Sequence, residues 1–199
     1  MFIQVITGRV SDQAGLDAAF DHWQHDVRPG AIGFLGSTGG VTDDGRFVAM
    51  ARFESVEAAH ANSDHPEQGA WWAEAERCFA GPVTFHDCSE VDMYHGGGTD
   101  NAHFVQVMEG HADRQRLRAM DEQAEEMLPD MRPDLLGSIR AWDGDEYFEA
   151  AYFTSEAEAR AAESKELPPE GAQMFSEWQS AMGDVEYFDL REPMLKLIS

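Results

Sequence analysis

Phe2-Ile-Gln-Val-Ile-Thr-Gly8 returns as Phe104-Val-Gln-Val-Met-Glu-Gly110, and this echo decides the fold. Further along, Asp26-Val-Arg-Pro-Gly-Ala-Ile-Gly33 is answered by Asp130-Met-Arg-Pro-Asp-Leu-Leu-Gly137, and Phe53-Glu-Ser55 by Phe153-Thr-Ser155. Gly69-Ala70 pairs with Gly171-Ala172, and Gly81-Pro-Val-Thr-Phe-His-Asp87 with Gly183-Asp-Val-Glu-Tyr-Phe-Asp189. The matches keep their order at offsets between 100 and 104 residues, so the chain is a doubled unit. The copies are expected at residues 1–95 and 103–199, joined by a glycine-rich linker over residues 96–102. Three consecutive glycines suit a flexible connector. No GxGxxG or GK[ST] pattern surrounds them, so they are not read as a phosphate loop.

Each copy reads as strand, helix, strand, strand, helix, strand. Residues 2–7 are rich in β-branched and aromatic types and predict the first strand. Asp12 is placed to cap a helix carrying the stripe Leu16, Phe20, Trp23 and Val27; Asp113 precedes Leu117, Met120, Ala124 and Met127. Pro29 and Pro133 end these helices. Asp44-Gly45 and Asp143-Gly144 mark hairpin turns, the first hairpin being four residues longer by the change in offset. A helical stretch broken at Pro66, or at Pro168-Pro169, leads to the last strand, and Ser155 with Glu158 reads as a capping box. A βαββαβ unit makes a four-stranded antiparallel sheet with helices on one face, the ferredoxin-like arrangement. In residues 47–53, Phe47, Ala49, Ala51 and Phe53 point one way and Val48 and Met50 the other. Both faces therefore need cover. The fold class expected is α+β, with the two antiparallel sheets packed face to face as a pseudo-dimeric barrel and helices outside.

Composition narrows the partners. Asp and Glu outnumber Lys and Arg 38 to 14, for a formal net charge of -24. No basic patch can be assembled, which argues against nucleic acid and anionic membrane surfaces. No apolar run is long enough to span a bilayer, and Met1-Phe2-Ile3 opens a strand, not a leader, so a cytoplasmic protein is expected. Cys78 and Cys88 are read as free thiols.

The segments Arg28-Pro-Gly…Ile32-Gly-Phe-Leu-Gly36 and Arg132-Pro…Leu136-Gly137, with Phe53-Glu-Ser-Val-Glu-Ala-Ala-His60 leading to Trp71-Trp72, carry a resemblance. The chain is similar to antibiotic-biosynthesis-monooxygenase-like (ABM) domains of the dimeric α+β barrel superfamily, in tandem and over nearly its whole length. The resemblance implies a small-molecule enzyme, since members include cofactor-free oxygenases of polycyclic phenols and haem-degrading enzymes. It also implies an Asn and a Trp on the segment after strand 3, which here match Asn62 and Trp71 or Trp72.

The copies differ in chemistry. Copy one holds His22, His25, His60, His65, His86 and His95, while copy two has only His103 and His111. Trp71-Trp72 faces Gln173-Met174 in the repeat. The site is therefore sought in copy one. His65 is the candidate base, Asn62 the anion stabiliser and Trp72 the wall that stacks on a flat substrate. His60, Trp71 and Arg52 are candidate substrate contacts. No metal ligand set has recognisable spacing and no cofactor is implied; a haem-binding variant would need an axial histidine that the sequence does not single out. A non-catalytic ligand-binding or assembly module is the alternative, and the chain is expected to be a monomeric pseudo-dimer open to further self-association. His22 and His25 are expected in solvent, His86 in the core, and Gln4 and Gln106 in a structural role. Glu149, an acid in an apolar strand, is either at an edge or paired, with Arg140 the candidate partner.

Overall fold

A computed structural model describes residues 1–125, 127–166 and 169–197. It divides into two units, one of Met1–Val91 with the segment from Met194 onward, the other of Asp92–Pro193. The first contains β1 (Phe2–Arg9), α1 (Gln13–His22), β2 (Phe34–Val41), β3 (Arg46–Phe53), α2 (Val56–Ser63), α3 (Pro66–Ala75) and β4 (Thr84–Cys88). The strand β5 (Glu90–Tyr94) begins in the last residues of the first unit, and the second contains the rest of it with β6 (Phe104–His111), α4 (Arg114–Ala124), α5 (Leu128–Met131), β7 (Leu135–Asp143), β8 (Glu146–Phe153), α6 (Glu156–Glu163), α7 (Pro169–Met182) and β9 (Val185–Leu190). A last strand, β10 (Met194–Leu197), returns to the first sheet.

The sheet orders are β10-β2-β3-β1-β4 and β5-β7-β8-β6-β9. Without β10 and β5 each is the four-stranded antiparallel sheet of a ferredoxin-like unit. The fifth strands were not read from the sequence. They pair the outer edges of β2 and β7, whose backbone groups would otherwise be open.

Local signals act as expected at the helix starts. Asp12 accepts from Gly15 N at 3.0 Å and Asp113 from Arg116 N at 2.8 Å. Ser155 accepts from Glu158 N, and Ser55 does the same for Ala58 N although no Glu or Gln completes a box there. Both hairpin glycines, Gly45 and Gly144, have positive φ (81° and 66°). The four extra residues of copy one are placed differently from expectation. Phe34 and Leu135 both face the last residue of their partner strands, and Gly36 and Gly137 both follow a bulge. Gly36, not Gly33, is thus the counterpart of Gly137. Most of the extra length lies in the approach to β2, around Ile32, and only one residue is in the hairpin.

Leu16, Trp23 and Val27 are buried against the first sheet, although Trp23–Val27 form a π-helical turn. In copy two Leu117 is buried but Met127 is 43% exposed, because α4 stops at Ala124 and the stripe loses phase. The break expected at Pro168-Pro169 lies partly outside the described residues. Residues 96–102 belong to the second unit. Its glycines serve close approach: a Cβ on Gly98 would sit 2.9 Å from the Tyr152 hydroxyl, and one on Gly137 would sit 2.2 Å from the Gly97 carbonyl.

Both faces of each sheet are buried. On the faces away from the helices, Ile3, Val5, Val48 and Met50 are inaccessible in the first unit, as are Val105, Val107, Ile139 and Phe148 in the second. Gln4 and Gln106, the repeated polar residues, each donate to the adjacent strand of their own sheet, to Asp87 at 3.0 Å and Asp189 at 2.8 Å.

Candidate functional site

In the first unit, the layer between helices and sheet is an aromatic core. Phe20 stacks on Phe47 with ring centres 5.9 Å apart, and Trp71 meets Phe20 and Trp23 at 5.7 and 6.0 Å. Trp71 is buried in this core and its indole N–H donates to the Ala19 carbonyl at 2.6 Å. Trp71, expected as a substrate contact, is thus placed within the core. The neighbouring Trp72, about 100° round the helix, is half-buried. It lies against Phe79 and, at 5.2 Å, against Phe85 on the edge strand β4. Its indole N–H makes no hydrogen bond among the described residues.

Asn62 lies in the last turn of α2 and is 4% exposed. Its side-chain oxygen accepts from Ile32 N at 3.1 Å, fastening the longer approach to β2. Its amide nitrogen has no hydrogen bond among the described residues. Copy two has Ala162 at the matching place and a shorter approach, so the two differences accompany each other. His65 N donates to the Asn62 carbonyl at 3.2 Å, so a single backbone turn holds the two residues together. The His65 imidazole is half-buried at the start of α3, and it makes no side-chain capping bond.

The other two candidates do not join them. His60 is exposed on α2. Arg52 alternates with Phe53, which packs beside Ala59 of α2, so Arg52 lies on the opposite face of the sheet from the helices. The structure thus brings Asn62 and His65 together, keeps Trp72 at the edge of the same helix pair, and leaves out Trp71, His60 and Arg52. His22 and His25 are exposed as expected, while His86 is half-buried.

The second unit fills the same layer with charge. Arg140 on β7 and Glu149 on β8 are direct cross-strand neighbours, with side chains 1% and 6% exposed and 2.6 Å apart. Arg140 also pairs with Asp121 of α4 at 2.6 Å, and Asp121 accepts the Trp178 indole N–H at 3.1 Å. The guanidinium lies 5.5–5.9 Å from the ring centres of Tyr94, Trp142 and Tyr147, within cation–π range. Asp92 accepts from Trp142 Nε1 at 2.9 Å and pairs with Arg118. Burial holds Tyr94 and Tyr147 neutral far above the usual tyrosine range, reinforced by Asp121 and Glu149 respectively.

The Arg140–Glu149 pair was legible as an acid in an apolar strand with a cation across the hairpin. Asp121 was not. Its signal was the cap-aligned repeat, in which Asp121 replaces the stripe residue Phe20, just as Arg140 replaces Gly39 and Glu149 replaces Ala49.

No protein-family profile matches the sequence, and no curated protein is significantly similar to it. Solved structures do match in fold. A candidate monooxygenase from Lactobacillus acidophilus NCFM aligns with a TM-score of 0.70 at 9% identity, covering 98% of both chains. Another from Fusobacterium nucleatum subsp. nucleatum ATCC 25586 gives 0.69 at 8%, covering 100% of this chain and 92% of that one. The chain shares the fold of these two proteins over its whole length. An anthrone oxidase-like protein shares it, with a TM-score of 0.64 at 7% identity over 100% of this chain and 92% of the other. At such identities the likeness is one of fold. No helix among the described residues is long and apolar enough to cross a membrane.

Proposed function

We propose that this ABM-like chain is a cofactor-independent oxygenase of a small phenolic or polyketide-like aromatic molecule, acting in the cytoplasm, with His65, Asn62 and Trp72 as its working residues. The reaction class is supported by two proteins of the same fold described as monooxygenases and a third described as anthrone oxidase-like. The observation that carries the site is that all three residues keep a polar group uncommitted among the described residues, while Trp71 beside them has spent its own.

A neutral imidazole is a base suited to neutral pH, and His65 takes the proton from an activated phenol or ring CH2. The Asn62 amide, fixed through its oxygen by Ile32, donates to the oxyanion that forms. Trp72 offers its face to the flat ring. The electron-rich anion then reduces O2; for a CH2 centre the balance is one ketone and one water per O2 consumed.

Oxygen uptake with an anthrone-type substrate tests this. Uptake by the wild type and its loss in Asn62→Ala and His65→Ala, with folding intact by circular dichroism, is the expected result. A second reading, binding without turnover, draws support from the aromatic packing that fills the layer around Trp71. Quenching of tryptophan fluorescence by the anthrone without oxygen uptake would establish it in place of the first.

A further inference from the structure

We infer that β5 is a releasable strap over the charged layer of the second unit, latched by Asp92 and Tyr94. None of the five residues of β5 is buried, and Met93 is 55% exposed. Its hold on the unit is polar. Asp92 receives the Arg118 guanidinium and the Trp142 indole N–H, and Tyr94 covers the Arg140 guanidinium with its ring. The fifth strand of the other sheet is held differently, since Met194 of β10 packs into the aromatic core.

Detaching β5 breaks a few hydrogen bonds at a sheet edge, as in the elements that open locally. What lies beneath favours opening. Arg140, Asp121 and Glu149 stay paired with one another when β5 leaves, and admitting water relieves the desolvation of that buried ion group. A fixed pivot follows the strand. Gly97 N donates to the Tyr94 carbonyl at 3.0 Å, and His95 and Gly96 both have positive φ, closing a tight turn that packs through Gly97 onto Gly137. Release about that turn gives water and small polar solutes a route to the Arg140 group and to Trp142, which is otherwise 2% exposed.

Hydrogen exchange of the full-length protein, read by mass spectrometry, tests the strap. In wild type the amides of Val91–Tyr94 are expected to exchange at least tenfold faster than those of β6 and β8. In the Asp92→Ala/Tyr94→Ala variant they should speed up by a further factor of ten, with β6 and β8 unchanged. Acrylamide should then quench a larger share of the tryptophan emission. Exchange of β5 at the rate of β8 in wild type would overturn the inference. So would a variant in which β6 and β8 accelerate together with β5, because β5 would then be integral to the sheet.

Discussion

Arg140 and Glu149 face each other across β7 and β8 where the first copy sets Gly39 against Ala49. In the first copy the backbones approach so closely that a Cβ on Gly39 would lie 2.9 Å from Ala49 Cβ. Duplication has kept one scaffold and set a buried ion group among the aromatic residues of the second helix–sheet layer, where the first has none.

Removing one member of the ionic layer leaves its partners charged and buried. Arg140→Met should cost about 3–5 kcal/mol, since Glu149 and Asp121 lose their shared cation. The double variant Arg140→Met/Glu149→Leu should recover a large part of that loss. Urea unfolding midpoints of the two variants, measured side by side, check the order.

The adjacent tryptophans should separate cleanly. Trp71→Ala is expected to lose about 3–5 kcal/mol, the range for a large aromatic removed from a core, and to leave the Ala19 carbonyl without its donor. Trp72→Ala, at the half-buried edge, should lose clearly less stability while weakening the binding of a flat aromatic ligand. Thermal melts and ligand titration distinguish the two, and equal destabilisation would count against the assignment.

Asn62 has a structural task as well as the proposed chemical one. Asn62→Ala releases Ile32 N and should cost about 1–2 kcal/mol, the usual price of a buried hydrogen bond left half-made. Hydrogen exchange should quicken at Ile32 and Gly33 and remain unchanged in β3. Protection at Ile32 that survives the substitution would show that the loop is held by something else.

His95 is the one non-glycine described residue with positive φ, at 51°. His95→Gly should stabilise the protein by roughly 1 kcal/mol, the cost of that conformation for an L residue less glycine's own entropy. At this chain length that corresponds to about 2–4 °C in Tm. A lower Tm in the variant would mean that the imidazole makes a compensating interaction.

Tyrosine ionisation gives a pH prediction with a definite sign. Tyr94, Tyr147 and Tyr187 are all pushed above the ordinary value of 10, chiefly by burial. Between that value and their folded ones, the unfolded chain has given up protons that the native state keeps. Stability should therefore be complete below pH 10 and fall as pH rises beyond it. Absorbance at 295 nm should show most phenols titrating only together with unfolding; free titration of all of them in the native state near pH 10 would contradict this.

The sequence by itself determined the doubling, the βαββαβ order of each copy, the aspartate caps, the glycine turns and the need for cover on both sheet faces. These follow from local rules, namely backbone sterics, side-chain parity and helical periodicity, which act over a few residues. Even the Arg140–Glu149 pair was within reach, because a hairpin converts sequence proximity into contact. Tertiary structure alone decided the rest. Which of Trp71 and Trp72 is core depends on how α3 is rotated against α1, and no run of neighbouring residues records that angle. The parity of β3 relative to the helices put Arg52 on the wrong face for the proposed site. The strands β5 and β10, too short to announce themselves, are strands because a sheet edge from elsewhere in the chain offers them hydrogen bonds. Asp121 became part of an ionic layer because α4 brings it beside a cation held on β7.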